Sequence, residues 1–252
     1  MLEIFILSAV QGITEFLPIS SSAHINLISK FTNFSVSGLL LDISLHIGSF
    51  FAVIIYFRNE IIEMFKNFRK LSYLVVAVTP ILILGFLIAQ MGLADNLRSL
   101  KVIGWMTIIF GILLFISDKS KIKKSYKNEF NFKDALIIGL IHAIALIPGV
   151  SRSGVAITAC RLLSYSRTDS AKISFLISIP TLLAVSIYGI YSLNLNKNID
   201  LQSLSILSIL GSFFFSYITI KYFLEFLKKF TLNFFVYYRI IIGVVILYYG
   251  YN

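Results

Sequence analysis

The sequence is poor in charged residues and in cysteine. Only 13% of its 252 residues are charged, whereas 58% are hydrophobic. A soluble domain carries roughly a quarter charged residues, so this composition excludes an ordinary soluble protein and predicts a polytopic membrane protein. The single cysteine, Cys160, excludes an internal disulfide. The first residues are apolar but carry Glu3 in place of a basic segment, so we expect the N-terminus to be retained and not cleaved as a signal peptide.

Six apolar stretches are long enough to cross a bilayer as helices, which takes roughly 17 to 25 residues. They cover residues 38–57, 71–91, 102–117, 173–193, 204–220 and 233–251. Two further apolar stretches, 1–30 and 135–160, are each interrupted near the middle by a proline and a serine-rich segment. Because proline disfavours helix at the residue before it and lacks a backbone donor, we expect a chain reversal in each. We interpret both as re-entrant helical hairpins.

The two interrupted stretches match each other at a constant spacing. Pro18 and Pro148 stand 130 residues apart, and so do Ser21 and Ser151. The apolar blocks that follow are also in the same order, which is typical of an internal repeat. We therefore predict a single membrane domain, 1–252, divided into repeat one at 1–117, a cytoplasmic linker at 118–134 and repeat two at 135–252.

The basic residues indicate an orientation for this scheme. If the first hairpin enters and leaves on the outer side, the inner loops are 58–70, 118–134, 161–172 and 221–229. These loops hold sixteen of the twenty-two Lys and Arg residues, as the positive-inside rule requires. Three spans per repeat is an odd number, so the fold class we predict is all-α integral membrane, with six transmembrane helices plus two re-entrant hairpins in an inverted-topology repeat. The +10 net charge then reflects topology, and we expect no nucleic-acid partner.

Polar side chains at the two interruptions predict a functional site, because such groups are costly at membrane depth unless they are paired or line a cavity. In the first, Glu15, Ser21 and His24 supply a carboxylate, a hydroxyl and an imidazole. Glu15 can orient His24, and His24 can take a proton from Ser21. In the second, Arg152 offers a planar fork suited to phosphate, and the turn at Gly149 offers backbone N–H groups at the start of a helix. Together these groups indicate phosphoryl chemistry.

Further polar residues complete the predicted site. The candidates for substrate binding are Gln11, Ser20, Ser22, Gly149, Ser151 and Ser153. Helix capping is an alternative role for several of these serines. Asp42 and His46 lie four residues apart on one helix face, and we expect them to support the catalytic groups, as we do for Thr158. Arg239, in the last apolar stretch, either reaches along its length to the membrane surface or pairs with an acid.

The two motifs also carry a family resemblance. Gln-x-x-x-Glu-Phe-Leu-Pro-x-Ser-Ser-x-x-His at 11–24 and Pro-Gly-x-Ser-Arg-Ser at 148–153 resemble the two signatures of the bacterial undecaprenyl-diphosphate phosphatase family, of the bacitracin-resistance type. The likeness covers nearly the whole chain. One position departs from the family pattern, which has a threonine four residues after the arginine, whereas this chain has Ala156 there and Thr158 two residues further on.

The resemblance implies an activity and a setting. It implies hydrolysis of undecaprenyl diphosphate to undecaprenyl phosphate and inorganic phosphate, which recycles the lipid carrier for cell-wall synthesis. It also implies a multi-pass protein of the bacterial cytoplasmic membrane, with its active site open to the extracytoplasmic side, membrane lipids around it and a homodimeric state.

Several mechanistic alternatives stay open at the level of sequence. Ser21 is the favoured nucleophile with His24 as its base, since a serine hydroxyl is weak at neutral pH without an adjacent base. In the alternative, Glu15 or His24 activates water directly. A divalent cation, Mg²⁺ or Ca²⁺, would neutralise the diphosphate, with Gln11 and Glu15 one helical turn apart as its contacts. A secondary transporter, which also uses inverted repeats with broken helices, is the main alternative function, and a purely structural membrane protein is a weaker one.

Overall fold

The computed structural model describes residues 2–31, 39–92, 99–195 and 199–252. Within these ranges the chain is almost entirely helical, and no β-strand is found there. The helices are α1 (Leu2–Thr14), α2 (Ser21–Phe31), α3 (Leu39–Tyr56), α4 (Arg58–Lys66), α5 (Phe68–Gln90), α6 (Leu100–Asp118), α7 (Tyr126–Glu129), α8 (Phe132–His142), α9 (Arg152–Leu162), α10 (Arg167–Leu195), α11 (Ile199–Lys229) and α12 (Asn233–Tyr251).

Five helices in the described part of the chain are long and apolar enough to cross a membrane. They are α5, α6, the Arg167–Ile187 part of α10, the Ser205–Lys229 part of α11, and α12. A sixth candidate consists of α3 and α4 taken together, which are bent by 70° at the break between them. The prediction of an all-α membrane protein is therefore confirmed, with five or six helices that can span the bilayer.

Helices α10 and α11 are longer than the apolar stretches that predict them. Both run on through charged segments, at 167–172 in α10 and at 221–229 in α11. Hydropathy marks only the part of a helix that suits lipid, whereas the backbone hydrogen bonds continue as long as the local sequence favours helix. The lengths predicted for these two helices were therefore too short at their polar ends.

Both interrupted stretches are broken where the sequence predicts it. Residues 15–20, the first turn, separate α1 from α2. A 3₁₀ turn at Ala143–Leu146 and then residues 147–151, the second turn, separate α8 from α9. The last residue of each turn is a serine with left-handed backbone, Ser20 at φ 73° and Ser151 at φ 72°, which is uncommon for any residue other than glycine. By backbone conformation, Ser20 is therefore the equivalent of Ser151. The spacing of the two prolines instead pairs Ser151 with Ser21, one position later.

Small residues allow the helices to pack closely, as is usual between membrane helices. Helix α1 packs on α11 and α8 packs on α5, while α3 contacts α10 and α6 contacts α12. A Cβ at Gly139 of α8 would lie 2.5 Å from a backbone oxygen of α5. At the crossing of α6 and α12, a Cβ on Gly104 or Gly243 would lie 3.2 Å from the carbonyl oxygen of the other. These contacts bring the two broken stretches into the centre of the bundle.

Charged residues connect the chain segments at one end of the bundle. Asp118, at the end of α6, accepts hydrogen bonds from Arg167 Nε at 2.6 Å and from the backbone nitrogen of Leu232 at 3.1 Å. Lys124 Nζ donates to Asp134 at 2.8 Å. The linker, the α9–α10 connection and the α11–α12 connection therefore lie together at this basic end.

The contact between α3 and α11 yields a first prediction. A Cβ at Gly48 would lie 2.3 Å from the carbonyl oxygen of Ile209 and 2.8 Å from the backbone nitrogen of Phe213. Because backbone cannot move aside as a side chain can, Gly48→Ala should lower the free energy of unfolding by about 1–3 kcal/mol, seen as a lower Tm in detergent. Gly85→Ala is the matched control, since its nearest neighbour is the end of the Leu146 side chain at 3.3 Å. An equal loss in both variants would contradict the prediction.

Candidate active site

The two turns lie against each other although they are far apart in sequence. Arg152 Nη2 donates to Glu15 Oε1 at 2.5 Å across a separation of 137 residues. Ser153 Oγ donates to the carbonyl oxygen of Leu17 at 2.7 Å. The structure thus brings together the two sets of polar residues that the sequence singles out.

Glu15 lies at the centre of this cluster. Its side chain is only 3% exposed. Oε2 accepts hydrogen bonds from Ser21 Oγ at 2.8 Å and from Gln11 Nε2 at 3.0 Å, while Oε1 accepts from Arg152. A buried carboxylate is tolerated only when it is paired and hydrogen-bonded, and both oxygens of Glu15 meet that condition.

His46 of α3 reaches the cluster from a third element. Its Nδ1 donates to the carbonyl oxygen of Asp42 at 2.7 Å, which leaves Nε2 directed at Glu15 Oε2 over 3.9 Å. The carboxylate of Asp42 lies 3.6 Å from the same Nδ1 and is about half exposed. The structure thus places His46 beside Glu15 and Asp42 beside His46, and their support of the catalytic groups stays a prediction.

His24 is directed at α12 in this arrangement. Its Nδ1 donates to the carbonyl oxygen of Ser20 at 2.7 Å, and its Nε2 lies 2.6 Å from the hydroxyl of Tyr238. A carbonyl oxygen can only accept a hydrogen bond, so Nδ1 of the neutral ring carries the proton. Nε2 is then the acceptor of a hydrogen bond from the Tyr238 hydroxyl. This differs from the expected relay through His24 to Ser21, since Ser21 is directed back to Glu15 instead. Tyr238 was not among the residues singled out from sequence.

Arg239 of α12 donates hydrogen bonds to both turns. Its side chain is fully buried. Nη1 donates to Pro18 O at 3.2 Å, Nη2 donates to Gly149 O and Val150 O at 3.0 Å each, and Nε donates to Thr107 O at 3.1 Å.

Both roles considered for Arg239 from sequence are therefore wrong. The side chain does not reach the membrane surface, and no carboxylate in the described part of the chain pairs with it. Backbone carbonyls take the place of the acid, and three of them, at Pro18, Gly149 and Val150, lie in the two turns, where a broken helix leaves oxygens without helical partners. The signal that points to such a residue is simply an arginine inside an apolar span.

Glycines make room for this arrangement. Gly149 has φ +93°, and a Cβ there would lie 2.4 Å from the carbonyl oxygen of Ile103 in α6. A Cβ at Gly154 would lie 2.9 Å from Nη1 of Arg239, and one at Gly111 would lie 3.2 Å from its Cβ. The second turn can therefore press against α6, and the guanidinium can enter between the helices.

The remaining predicted residues contribute mainly to the shape of the site. Ser151 caps α9, with its Oγ accepting from the Gly154 backbone nitrogen at 3.1 Å. Thr158 Oγ1 donates to the carbonyl oxygen of Gly154 at 2.8 Å, so its hydroxyl is used within its own helix. Ser20 contributes its carbonyl oxygen to His24. The side chain of Ser22 lies outside the described residues.

One orphaned atom bears on the predicted cation. Gln11 Oε1 is buried and has no hydrogen-bond partner among the described residues. With the carboxylate of Glu15 it provides two oxygen ligands, the type that Mg²⁺ and Ca²⁺ prefer. No group of three or more His, Cys, Asp or Glu side chains able to hold a metal is found in the described ranges. The residues therefore fit a cation that takes its other ligands from water and from substrate phosphates, as Mg²⁺ commonly does.

Comparisons with known proteins agree on one family. The model of the family described as bacitracin resistance protein BacA matches residues 4–245. The undecaprenyl-diphosphatase of Pelagibacter ubique is 47% identical over 253 residues, which cover 100% of this chain and 98% of that protein. Undecaprenyl-diphosphatase 1 of Pseudoalteromonas translucida is 39% identical, with 97% of this chain and 96% of the relative covered. The undecaprenyl-diphosphatase of Jannaschia sp. is 33% identical over 98% of this chain and 97% of its own length.

The buried guanidinium yields a second prediction. Arg239→Met removes the guanidinium donors from Pro18 O and Val150 O, and each buried acceptor left without a partner costs about 1–3 kcal/mol. We expect a loss of roughly 3 kcal/mol or more in the free energy of unfolding, measured as a lower Tm in detergent. Arg239→Lys should also be destabilised, since a single ammonium cannot reach both turns. Arg58→Met, at an exposed position, is the control, and a wild-type Tm for Arg239→Met would refute the role.

Proposed function

This chain belongs to the bacitracin resistance protein BacA family, and from that membership and its site we infer that it is an undecaprenyl-diphosphatase. It is a multi-pass membrane protein of a bacterial family, and it hydrolyses the polyprenyl diphosphate lipid to undecaprenyl phosphate and inorganic phosphate. The observation that carries this conclusion in the structure is the contact of Glu15 with Ser21 and Arg152. A hydroxyl, a carboxylate and a guanidinium that suits an anion thereby meet at one place, and a transporter or a structural protein does not need this combination.

Ser21 is the nucleophile in the proposed reaction. Its Oγ attacks the terminal phosphorus, the bond from that phosphorus to the bridging oxygen breaks, and undecaprenyl phosphate leaves. Water then hydrolyses the phosphoserine and releases inorganic phosphate. The hydrogen bond from Ser21 to Glu15, at 2.8 Å, supports Glu15 as the base, because both ring nitrogens of His24 have other partners.

Arg152 links substrate binding to the activation of Glu15. The Arg152 side chain is 21% exposed, so its guanidinium can bind a phosphate oxygen. When phosphate draws Arg152 away, Glu15 loses its ion-pair partner and becomes a stronger acceptor for the Ser21 proton. The capped start of α9 at Ser151, with Gly149 and Ser153 beside it, favours the anion through backbone N–H groups and the helix dipole.

The other predicted contacts belong to the same proposal. Ser20 and Ser22 are the remaining predicted contacts to the phosphates. Gln11 and Glu15 would hold the divalent cation, which when bound neutralises charge on the diphosphate. Glu15, which takes the Ser21 proton, can return it to the departing lipid phosphate, while His24 stays hydrogen-bonded to Tyr238.

The membrane arrangement is proposed as six spans and two re-entrant hairpins in an inverted repeat, with the site open to the extracytoplasmic side of the inner membrane. Reciprocal packing supports the repeat, since α1 on α11 corresponds to α8 on α5. The matching backbone of Ser20 and Ser151 supports it as well. The convergence of the linker with two other connections at a basic end supports the orientation. The homodimer rests on the family resemblance alone.

Phosphate release from undecaprenyl diphosphate tests the reaction. Purified protein in detergent should turn over, and Arg152→Ala should be slower by about a hundredfold or more, the usual loss when a group that stabilises developing charge is removed. Ser21→Ala should fall to the background rate if its hydroxyl attacks phosphorus. Arg58→Ala controls for loss of a positive charge elsewhere. If the folded wild-type protein has no activity, the proposed function is refuted. If Ser21→Ala is active, Ser21 is not the nucleophile, and water attacks the phosphorus directly.

The choice of base is tested by a second pair of variants. Glu15→Gln keeps a hydrogen-bond acceptor for Ser21 but cannot take its proton, so we expect kcat to fall by about a hundredfold or more. His24→Ala should cost less, because His24 has no contact with Ser21 in this arrangement. If His24→Ala abolishes turnover while Glu15→Gln retains it, the relay expected from sequence is correct and the proposed base is not.

A further inference from the structure

A polar cavity lies at the basic end of the bundle, apart from the site around Glu15. Its volume is about 500 Å³, and three cationic side chains, Lys119, Arg161 and Arg167, line it together with one carboxylate, Asp118. Pockets of this size accommodate small ligands. The cavity lies where α6 ends and α12 begins, so two helices that are long and apolar enough to span a membrane flank it.

The single carboxylate in this cavity is already neutralised. Asp118 Oδ1 accepts from Arg167 Nε at 2.6 Å, and Oδ2 accepts from Arg167 Nη2 and from the Leu232 backbone nitrogen at 3.1 Å each. Arg167 and Asp118 therefore form a bidentate ion pair. The positive charges of Lys119 and Arg161 are in excess.

Arg161 is a buried cation with an unused donor. Its side chain is 2% exposed, and its two terminal nitrogens donate to the carbonyl oxygens of Tyr165, Asp118 and Ser120. Its Nε has no hydrogen-bond partner among the described residues and lies 3.6 Å from Asp118 Oδ1. A buried N–H without an acceptor is costly. The hydrogen bonds of Arg161 to carbonyl oxygens explain how it fixes the linker. They do not explain why its Nε has no acceptor or why its side chain lines the cavity.

Lys119 is the accessible cation of the cavity. Its Nζ lies 4.1 Å from the centre of the Phe115 ring, and no carboxylate is paired with it in the described ranges. Hydroxyl and amide groups of Ser120, Thr231 and Asn233 complete the lining. Arg161 and Arg167 both pair with Asp118, so three cations share one carboxylate, and the cavity offers this excess of positive charge and several neutral donors to an anion.

We propose that this cavity binds a phosphate group, either as free inorganic phosphate or as the phosphomonoester headgroup of a membrane lipid. Lys119 forms the charge-assisted contact at the mouth, and Arg161 supplies positive charge at the base. Basic pockets between membrane helices are common binding sites for anionic headgroups. The proposal does not depend on the hydrolytic reaction, because the cavity contains none of the groups assigned to it.

The first arm of the test uses inorganic phosphate. Arg152→Ala serves as the background, so that phosphate binding at the active site is removed. Phosphate, titrated against chloride at constant ionic strength, should raise the Tm of this protein in detergent. When Lys119→Glu is added to this variant, the phosphate concentration that gives half of the Tm increase should rise at least about tenfold. A change of this size is expected for the loss of one charge-assisted hydrogen bond. Lys121→Glu, an exposed position on the same linker that does not line the cavity, should leave the midpoint unchanged.

The second arm uses the full chain in nanodiscs of phosphatidylcholine with or without phosphatidic acid. Phosphatidic acid retained on the purified protein is measured by mass spectrometry, and Lys119→Met repeats the measurement without adding a negative charge. The proposal is supported if the Lys119 variants lose binding and Lys121→Glu does not. Loss in the first arm identifies inorganic phosphate as the ligand, and loss in the second identifies the lipid headgroup. If Lys119 and Lys121 variants behave alike in both arms, the proposal is refuted.

Discussion

The structure depends on the hydrogen bonds that Arg239 makes to two broken helices. A chain reversal inside an apolar bundle leaves carbonyl oxygens without helical partners, and in lipid such groups are costly. One guanidinium satisfies Pro18 O from the first turn and Gly149 O and Val150 O from the second. It therefore makes the breaks tolerable and holds them side by side. Without such a donor, the turns would have no shared anchor on α12.

The polar site follows from that anchoring. Once the turns are adjacent, Glu15 of one and Arg152 of the other form an ion pair, and Ser153 closes the contact by donating to Leu17. Ser21 then has a carboxylate as its neighbour. Each charge in this cluster has a partner, which stabilises it, and the partner of Glu15 is also the group that suits phosphate. The Glu15–Arg152 pair therefore stabilises the cluster and also contains the group that can bind an anion.

The sequence predicted much of this, and its failures have physical reasons. Breaks at Pro18 and Pro148 were predictable because proline acts locally on the backbone. Asp42 and His46 were predictable as a pair because four residues on a helix lie on one face. The relay from Ser21 to His24 was not found. The direction of the His24 side chain at the start of α2 depends on its hydrogen bond to Tyr238 of α12, which the sequence does not reveal. Tyr238 and Arg239 take part in no short motif, and only tertiary contact gives them a role.

Composition and spacing alone predicted a helical membrane protein with two interrupted stretches, whose polar residues suit phosphoryl chemistry. They could do so because hydropathy, proline and repeat spacing are local properties of the chain. Only the tertiary structure decided that Glu15 is the neighbour of Ser21, that His24 is directed at Tyr238, and that Arg239 binds carbonyl oxygens in place of an acid. The contacts of His24 and Arg239 depend on which helix surfaces meet, because their partners are far away in the sequence. Glu15 and Ser21 are only six residues apart, but their contact depends on how the first turn folds between α1 and α2.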